Sequence, residues 1–258
     1  MRYSYIRTPM NALLGYNQLM KKELTDPKLL HYQRAVEQSG NLLLAIINNV
    51  LDMARIESGR VELDESYARI DQTVDEIKSV FEPQADKKGL NLIFETQVEH
   101  QHVLCDITKT KQILVNLISN AVKYTSTGGT VTVTVQEIPC EQENSVKIQI
   151  EVRDTGIGMS KEFLPILFDS FSRERNTTVG KVAGTGLGMA IVKKYVDLMG
   201  GSIDVKSELG KGTKFTVTIP HKIAPPEYYA KKASNEANEK VEFSGKNILL
   251  AEDNDLNA

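Results

Sequence analysis

Between residues 29 and 53, apolar side chains recur every seven positions. Leu29, Val36, Leu43 and Val50 make one row; Tyr32, Ser39, Ile46 and Met53 make a second, three places later. An a/d seam sustained over about four heptads commits this stretch to a long α-helix packed against other helices. Thr25-Asp26-Pro27 breaks the chain before it: Asp26 can cap a helix and Pro27 suits its first position. Upstream, Met10, Leu13, Leu14 and Met20 share one side of a shorter helix, with Pro9 near its start or at a kink. Ser58-Gly59 ends the long helix. The two helices form a hairpin that cannot bury such a seam alone. Two copies are therefore expected to pair as a four-helix bundle, the plainer alternative being a hairpin packed on its own next domain.

From about residue 70 the pattern becomes mixed. Val74, Ile77, Val80 and Phe81 have helical spacing over 70–85, and Leu90 to Phe94 alternates as a strand after Gly89. Asp106 can cap a helix running to about Val122. Residues 130–135 and 146–152 alternate as strands, 161–168 reads as a short helix and 186–199 as a longer one. Residues 202–205 and 213–219 read as closing strands. Helices segregated from a mixed sheet predict an α+β fold, a helical hairpin followed by an α/β sandwich. Residues 221–245 lose the pattern and read as a linker with Pro225-Pro226, after which Ile248 to Ala251 begins a buried strand.

Composition excludes several classes. Of 258 residues, 41% are hydrophobic and 25% charged, the usual globular balance. A net charge of −3 provides no basic field for nucleic acid. The longest apolar run, Leu42 to Ile47, falls far short of the roughly 20 residues of a membrane helix. No signal peptide is recognised at the start, so no membrane contact is expected within this segment. Cys105 and Cys140 cannot make a disulfide framework and read as reduced thiols of a cytoplasmic chain. His100 and His102 near Cys105 are a weak metal signal.

Three short stretches carry chemistry. Asn116 and Asn120 are four apart on one helix face, and their amide oxygens suit Mg²⁺ or its waters; Lys123 follows one turn later. Asp154-Thr155-Gly156-Ile157-Gly158 follows a strand. Its glycines permit a tight turn, and its carboxylate can accept from an exocyclic amine such as that of adenine. Gly184-Thr185-Gly186-Leu187-Gly188 opens a helix, whose N-terminus favours phosphate. Taken singly, two asparagines can be a polar surface and either glycine run a plain turn. A dinucleotide-binding fold would need its glycines between the first strand and first helix, which this order contradicts.

In this order the stretches resemble the N, G1 and G2 boxes of the GHKL ATPase family. Phe168-Asp169-Ser170-Phe171 looks like its F box, and Gly210-Lys211-Gly212-Thr213-Lys214-Phe215 like its closing strand. With Ile6-Arg7-Thr8-Pro9-Met10-Asn11 on the hairpin, residues 4–220 resemble a sensor histidine kinase core. Asn247 to Asn254 resembles the first strand of a receiver domain, so the parent resembles a hybrid kinase of two-component phosphorelay signalling. The resemblance implies ATP and Mg²⁺ as cofactors. Asn120 would coordinate Mg²⁺, Asn116 would bond the phosphate or metal shell, Lys123 would neutralise phosphate and Tyr124 would pack by the adenine. Asp154 would read the adenine amine in a pocket shaped by Gly156 and Gly158 and supported by Thr213. Residues of about 160–183 would form a lid, with Gly184, Gly186, Leu187 and Gly188 hinging it and meeting the phosphates.

The implied layout is a dimerisation hairpin over 1–58 with an incomplete first helix and a linker over 59–69. The ATP-binding domain follows over 70–220, then a linker over 221–245 and a truncated receiver strand over 246–258. The implied partners are a second copy, and a receiver domain or response regulator. One position departs from the family. Ser4 stands where the phosphoacceptor histidine is expected, and Tyr5 where its acidic neighbour is expected, while Thr8 and Asn11 keep their spacing. A serine hydroxyl needs a general base to become a nucleophile, and Tyr5 is not one at neutral pH. Self-phosphorylation of this chain is therefore expected to be weak. An ATP-binding pseudokinase regulator and a serine kinase on the same ATP domain are the alternatives. Thr8 keeps the position implied for phosphatase action.

Overall fold

A computed structural model describes residues 4–59, 61–174 and 185–229. The chain divides into two units, one built on residues 1–54 and one on residues 55–239. In the first, α1 (Ser4–Glu23) and α2 (Pro27–Glu57) form the hairpin. Pro9 lies inside α1, in its first turns. Asp26 Oδ1 accepts from Lys28 N–H at 2.7 Å, which caps α2 with Pro27 at its first position. Gly59, at φ 64°, ends it.

The outer row of α2 stays exposed: Leu29, Val36, Leu43 and Val50 are each more than 40% accessible. The residues that face α1 lie one place later, and the closest approach is at Gly40, where a Cβ would sit 2.7 Å from Leu14 Cδ2. The heptad row thus marks the outward face, available to a further helix pair.

The second unit is a two-layer α+β sandwich. One layer is a seven-stranded sheet, β1 (Ser66–Arg69), β2 (Asn91–Gln97), β3 (His102–Cys105), β4 (Thr130–Ile138), β5 (Ser145–Asp154), β6 (Ser202–Glu208) and β7 (Gly212–Ile223). Its order is β1-β3-β7-β5-β4-β2, with β6 also on β7; β2 runs parallel to β4 and the other pairs are antiparallel. The other layer holds α3 (Ile70–Lys88), α4 (Ile107–Tyr124) and α5 (Gly188–Leu198). Alternation decides the faces: Val131, Val133 and Val135 of β4, and Ile148, Ile150 and Val152 of β5, are all buried against the helices.

Helix ends are set locally. Asp106 accepts from Lys109 N–H at 3.0 Å, the expected cap of α4. Lys88 Nζ donates to the carbonyls of Val122 and Lys123 at 2.7 and 2.8 Å, satisfying the last turn of α4. The expected helix over 161–168 is reduced to one 3-10 turn, Leu164–Ile166. Pro165 removes a backbone donor there, and so short a segment has too few turns to sustain a helix by itself. β1 and β3 were not foreseen. Each has four residues, too short for alternation to show, and they exist through pairing with each other and, for β3, with β7. Residues 221–223 continue β7 rather than open the linker. The expected receiver strand, Asn247 to Asn254, lies outside the described residues.

Candidate nucleotide-binding site

The three stretches meet at one end of the sheet. β5 ends at Asp154, opposite Val131 of β4 and Thr213 of β7. Asp154 is 7% exposed. Its Oδ1 accepts from Gly156 N–H at 2.8 Å, and Thr213 N–H supplies a second backbone bond. Burial raises its pKa above the ordinary carboxylate value, against the pull of those two donors. No ion pair to Asp154 occurs among the described residues. A buried carboxylate held only by two N–H groups keeps acceptor capacity for a ligand amine.

The turn after Asp154 is crowded by backbone. Ile157 N–H donates to Tyr124 O at 3.3 Å, tying the turn to the end of α4. At Gly156 a Cβ would lie 2.8 Å from Asp154 Oδ1. At Gly158, with φ 64°, it would overlap Glu208 O, and at Gly212, with φ 108°, it would overlap Asp154 O. Only glycine fits these two positions. Thr213 Oγ1 lies 2.9 Å from Ser207 Oγ, which also accepts from Met159 N–H at 2.9 Å and donates to Gly212 O at 3.0 Å. Thr213 therefore supports the floor under Asp154 through Ser207. Sequence reasoning missed Ser207, because only the register pairing Ser207 with Thr213 brings it in.

Asn116 and Asn120 project from α4 toward the start of α5. Asn120 Nδ2 lies 3.4 Å from Met189 Sδ, and a Cβ at Gly188 would sit 2.8 Å from Asn116 Oδ1. Asn116 Nδ2 donates to Gln112 O at 2.9 Å, which leaves its oxygen turned toward α5. The N-cap of α5, Leu187, supplies no side-chain cap, and its own N–H donates to Thr185 Oγ1 at 3.2 Å; a helix N-terminus of this kind favours an anion. Leu187 itself is fully buried and anchors the helix. Gly186, at φ 71°, passes closely over the backbone of Phe171 and Ser172. Lys123 Nζ sits 4.8 Å over the Tyr124 ring, so this cation and this aromatic ring share one place. Gly184 and much of the expected lid lie outside the described residues, as do the side chains of Ser4 and Thr8.

The weak metal signal dissolves into other contacts. His100 Nδ1 pairs with Glu137 at 2.8 Å, His102 Nδ1 with Tyr67 Oη at 2.7 Å, and Cys105 is a buried core thiol.

Comparison with known proteins matches these two units to two family descriptions. Residues 105–223 match the histidine kinase-, DNA gyrase B- and HSP90-like ATPase, and residues 6–59 match the His kinase A (phospho-acceptor) domain. The chain belongs to the sensor histidine kinase family. It is a histidine kinase core, a phosphoacceptor-type hairpin followed by the ATP-binding domain. It is 34% identical to the autoinducer 2 sensor kinase/phosphatase LuxQ of Vibrio parahaemolyticus, over 98% of this chain and 30% of that protein. It is 37% identical to the sensor histidine kinase GacS of Pseudomonas protegens, over 83% of this chain and 23% of that protein. The chain thus spans less than a third of these relatives. Among solved structures, full-length ShkA in complex with AMPPNP matches with a TM-score of 0.68 and 29% identity. The match covers 86% of this chain and 45% of that one. ThkA in complex with the response regulator TrrA matches with a TM-score of 0.54 and 25% identity, over 84% of this chain and 58% of that one. The family domain implies ATP as the ligand of this site. No helix among the described residues is long and apolar enough to cross a membrane.

Proposed function

We propose that the chain is the Mg-ATP-binding core of a hybrid sensor kinase, acting in the cytoplasm as a dimer joined through its hairpin. The observation that carries the reading is the buried carboxylate of Asp154, held by two backbone N–H groups with no ion pair among the described residues, at one end of a site whose other end is the N-terminus of α5. Asp154 accepts the adenine amine, with Thr213 and Ser207 holding the floor and Gly156 and Gly158 keeping the approach open. Tyr124 lies beside the base. Lys123 and the N–H groups at Gly188 and Met189 receive the phosphates. Asn116 and Asn120 fit the divalent ion through amide oxygens. Among the described residues no group of three or more acidic, His or Cys side chains could hold it instead. Bound Mg-ATP supplies the transferable phosphoryl group and the charge that neutralises its leaving side.

The division into a hairpin over 1–58, an ATP domain over 70–220, which the sheet extends to 66–223, and a receiver start over 246–258 belongs to the same proposal. So does a receiver or response regulator as partner, as with the ThkA–TrrA pair. Ser4 favours a second reading for this polypeptide, an ATP-binding regulator with little self-phosphorylation. A hydroxyl without a base cannot match an imidazole as a nucleophile near pH 7.

Calorimetric titration with Mg-AMPPNP tests the first reading: saturable binding, weakened at least tenfold by Asp154→Asn, is expected. Binding that ignores this change overturns it. Labelled ATP tests the second. Little acid-labile label is expected, rising when Ser4→His is combined with Tyr5→Glu. Acid-stable label lost in Ser4→Ala would make the chain a serine kinase, and dephosphorylation lost in Thr8→Ala would establish phosphatase action.

A further inference from the structure

The two fully buried residues among the described positions of the hairpin are both polar. Asn17 is 3% exposed and Gln33 2%. They form a reciprocal clasp between the helices. Asn17 Nδ2 donates to Gln33 O at 3.2 Å, and Gln33 Nε2 donates to Asn17 O at 3.3 Å and to Glu37 Oε2 at 3.4 Å. Asn17 Oδ1 and Gln33 Oε1 are buried with no hydrogen-bond partner among the described residues. An apolar pair of equal volume would avoid both orphaned acceptors, so the clasp costs stability.

Its position shows what it does instead. α2 carries two heptad rows one residue apart. The outer row is apolar and exposed. The inner row, which includes Leu30, Gln33, Glu37, Gly40, Leu44 and Ile47, turns away from solvent, and at Gly40 it meets Leu14. Two adjacent rows of similar spacing let α1 pack against either one, or slide by a turn along the inner one. Apolar side chains alone discriminate poorly between these arrangements. Every alternative separates Asn17 from Gln33 and breaks their reciprocal bonds.

We propose that the Asn17–Gln33 clasp is the pairing key of the hairpin. It holds the inner row against α1 and thereby reserves the outer row for a second copy of this chain. A buried amide that trades stability for register is a known device of helical seams. The proposal rests on hairpin pairing for its consequence but not for its premise. A parent chain that sediments as a monomer removes the dimer reading and leaves the clasp testable.

The test compares the full chain with Asn17→Leu/Gln33→Met, a near-isosteric apolar pair. Methyl NMR follows the contact between Leu14 and Gly40, and sedimentation follows assembly. The parent is expected to show one set of Leu14 methyl signals with a cross-peak to Gly40. The variant is expected to melt a few degrees higher while showing a second set lacking that cross-peak, and more than one oligomeric species. A variant that is more stable and still uniform overturns the key. A less stable variant overturns the cost. A polarity-keeping exchange, Asn17→Gln/Gln33→Asn, separates loss of the key from failure to fold: it is expected to lower the midpoint and remain uniform.

Discussion

At the scale of single residues, two buried titratable groups tie stability to pH in opposite directions. Asp154 is held at a raised pKa by burial. A folded acid with a raised pKa binds more protons than its unfolded form. Stability is therefore lost as pH rises through that window, and the deficit persists at neutral pH. Asp154→Asn is expected to match or exceed the parent's thermal midpoint without nucleotide while losing binding, a trade visible in paired melts with and without Mg-AMPPNP. His221 behaves differently. It is 6% exposed, and burial pushes its pKa down to about 4. The unfolded chain takes up that proton below about 6.5, so stability falls as pH drops from about 6.5 toward 4, by roughly 3 kcal/mol in all. His221→Gln is expected to flatten that part of the pH profile of urea midpoints. An unchanged slope would remove His221 as its source. The sequence pointed to Asp154 through its glycines but not to His221, whose burial is decided by its register opposite Val146.

At the scale of elements, turns and caps hold the site in shape. Gly158 and Gly212 combine a positive φ with backbone in the way of a Cβ, whereas Gly210, at φ 81°, has nothing within 4 Å. Gly210→Ala is expected to cost about 1 kcal/mol, the ordinary penalty of a left-handed residue, and to spare nucleotide affinity. Gly158→Ala is expected to cost roughly 3 kcal/mol or more and to abolish binding, since Glu208 and the turn after Asp154 must separate. Urea melts with titrations of both variants check the contrast. Asp106 caps α4, accepts from Asp64 N–H at 3.0 Å and pairs with Lys109. Asp106→Ala is expected to cost about 2 kcal/mol and to loosen the face carrying Asn116 and Asn120. The cap was legible in the sequence; its bond to residue 64, far upstream, was not.

At the scale of the whole molecule, the exposed outer row of α2 is the face proposed for pairing with a second copy. Val36→Asp with Leu43→Asp is expected to turn a dimer into monomers in sedimentation, with the melt of the ATP domain unchanged. A dimer that survives both charges would place the interface elsewhere. Periodicity and glycine spacing by themselves determined the hairpin, the α+β class and the order of the long elements. These signals are local, because side-chain direction follows from 3.6- and 2-residue repeats and from φ. Tertiary structure alone decided three things. It made β1 and β3 strands, because four residues pair only when a neighbour is already in place. It brought Ser207 under Thr213, because register is a property of two strands. It turned the apolar row of α2 outward and buried Asn17 against Gln33, because a helix shows its period in sequence but finds its packing face only against another helix.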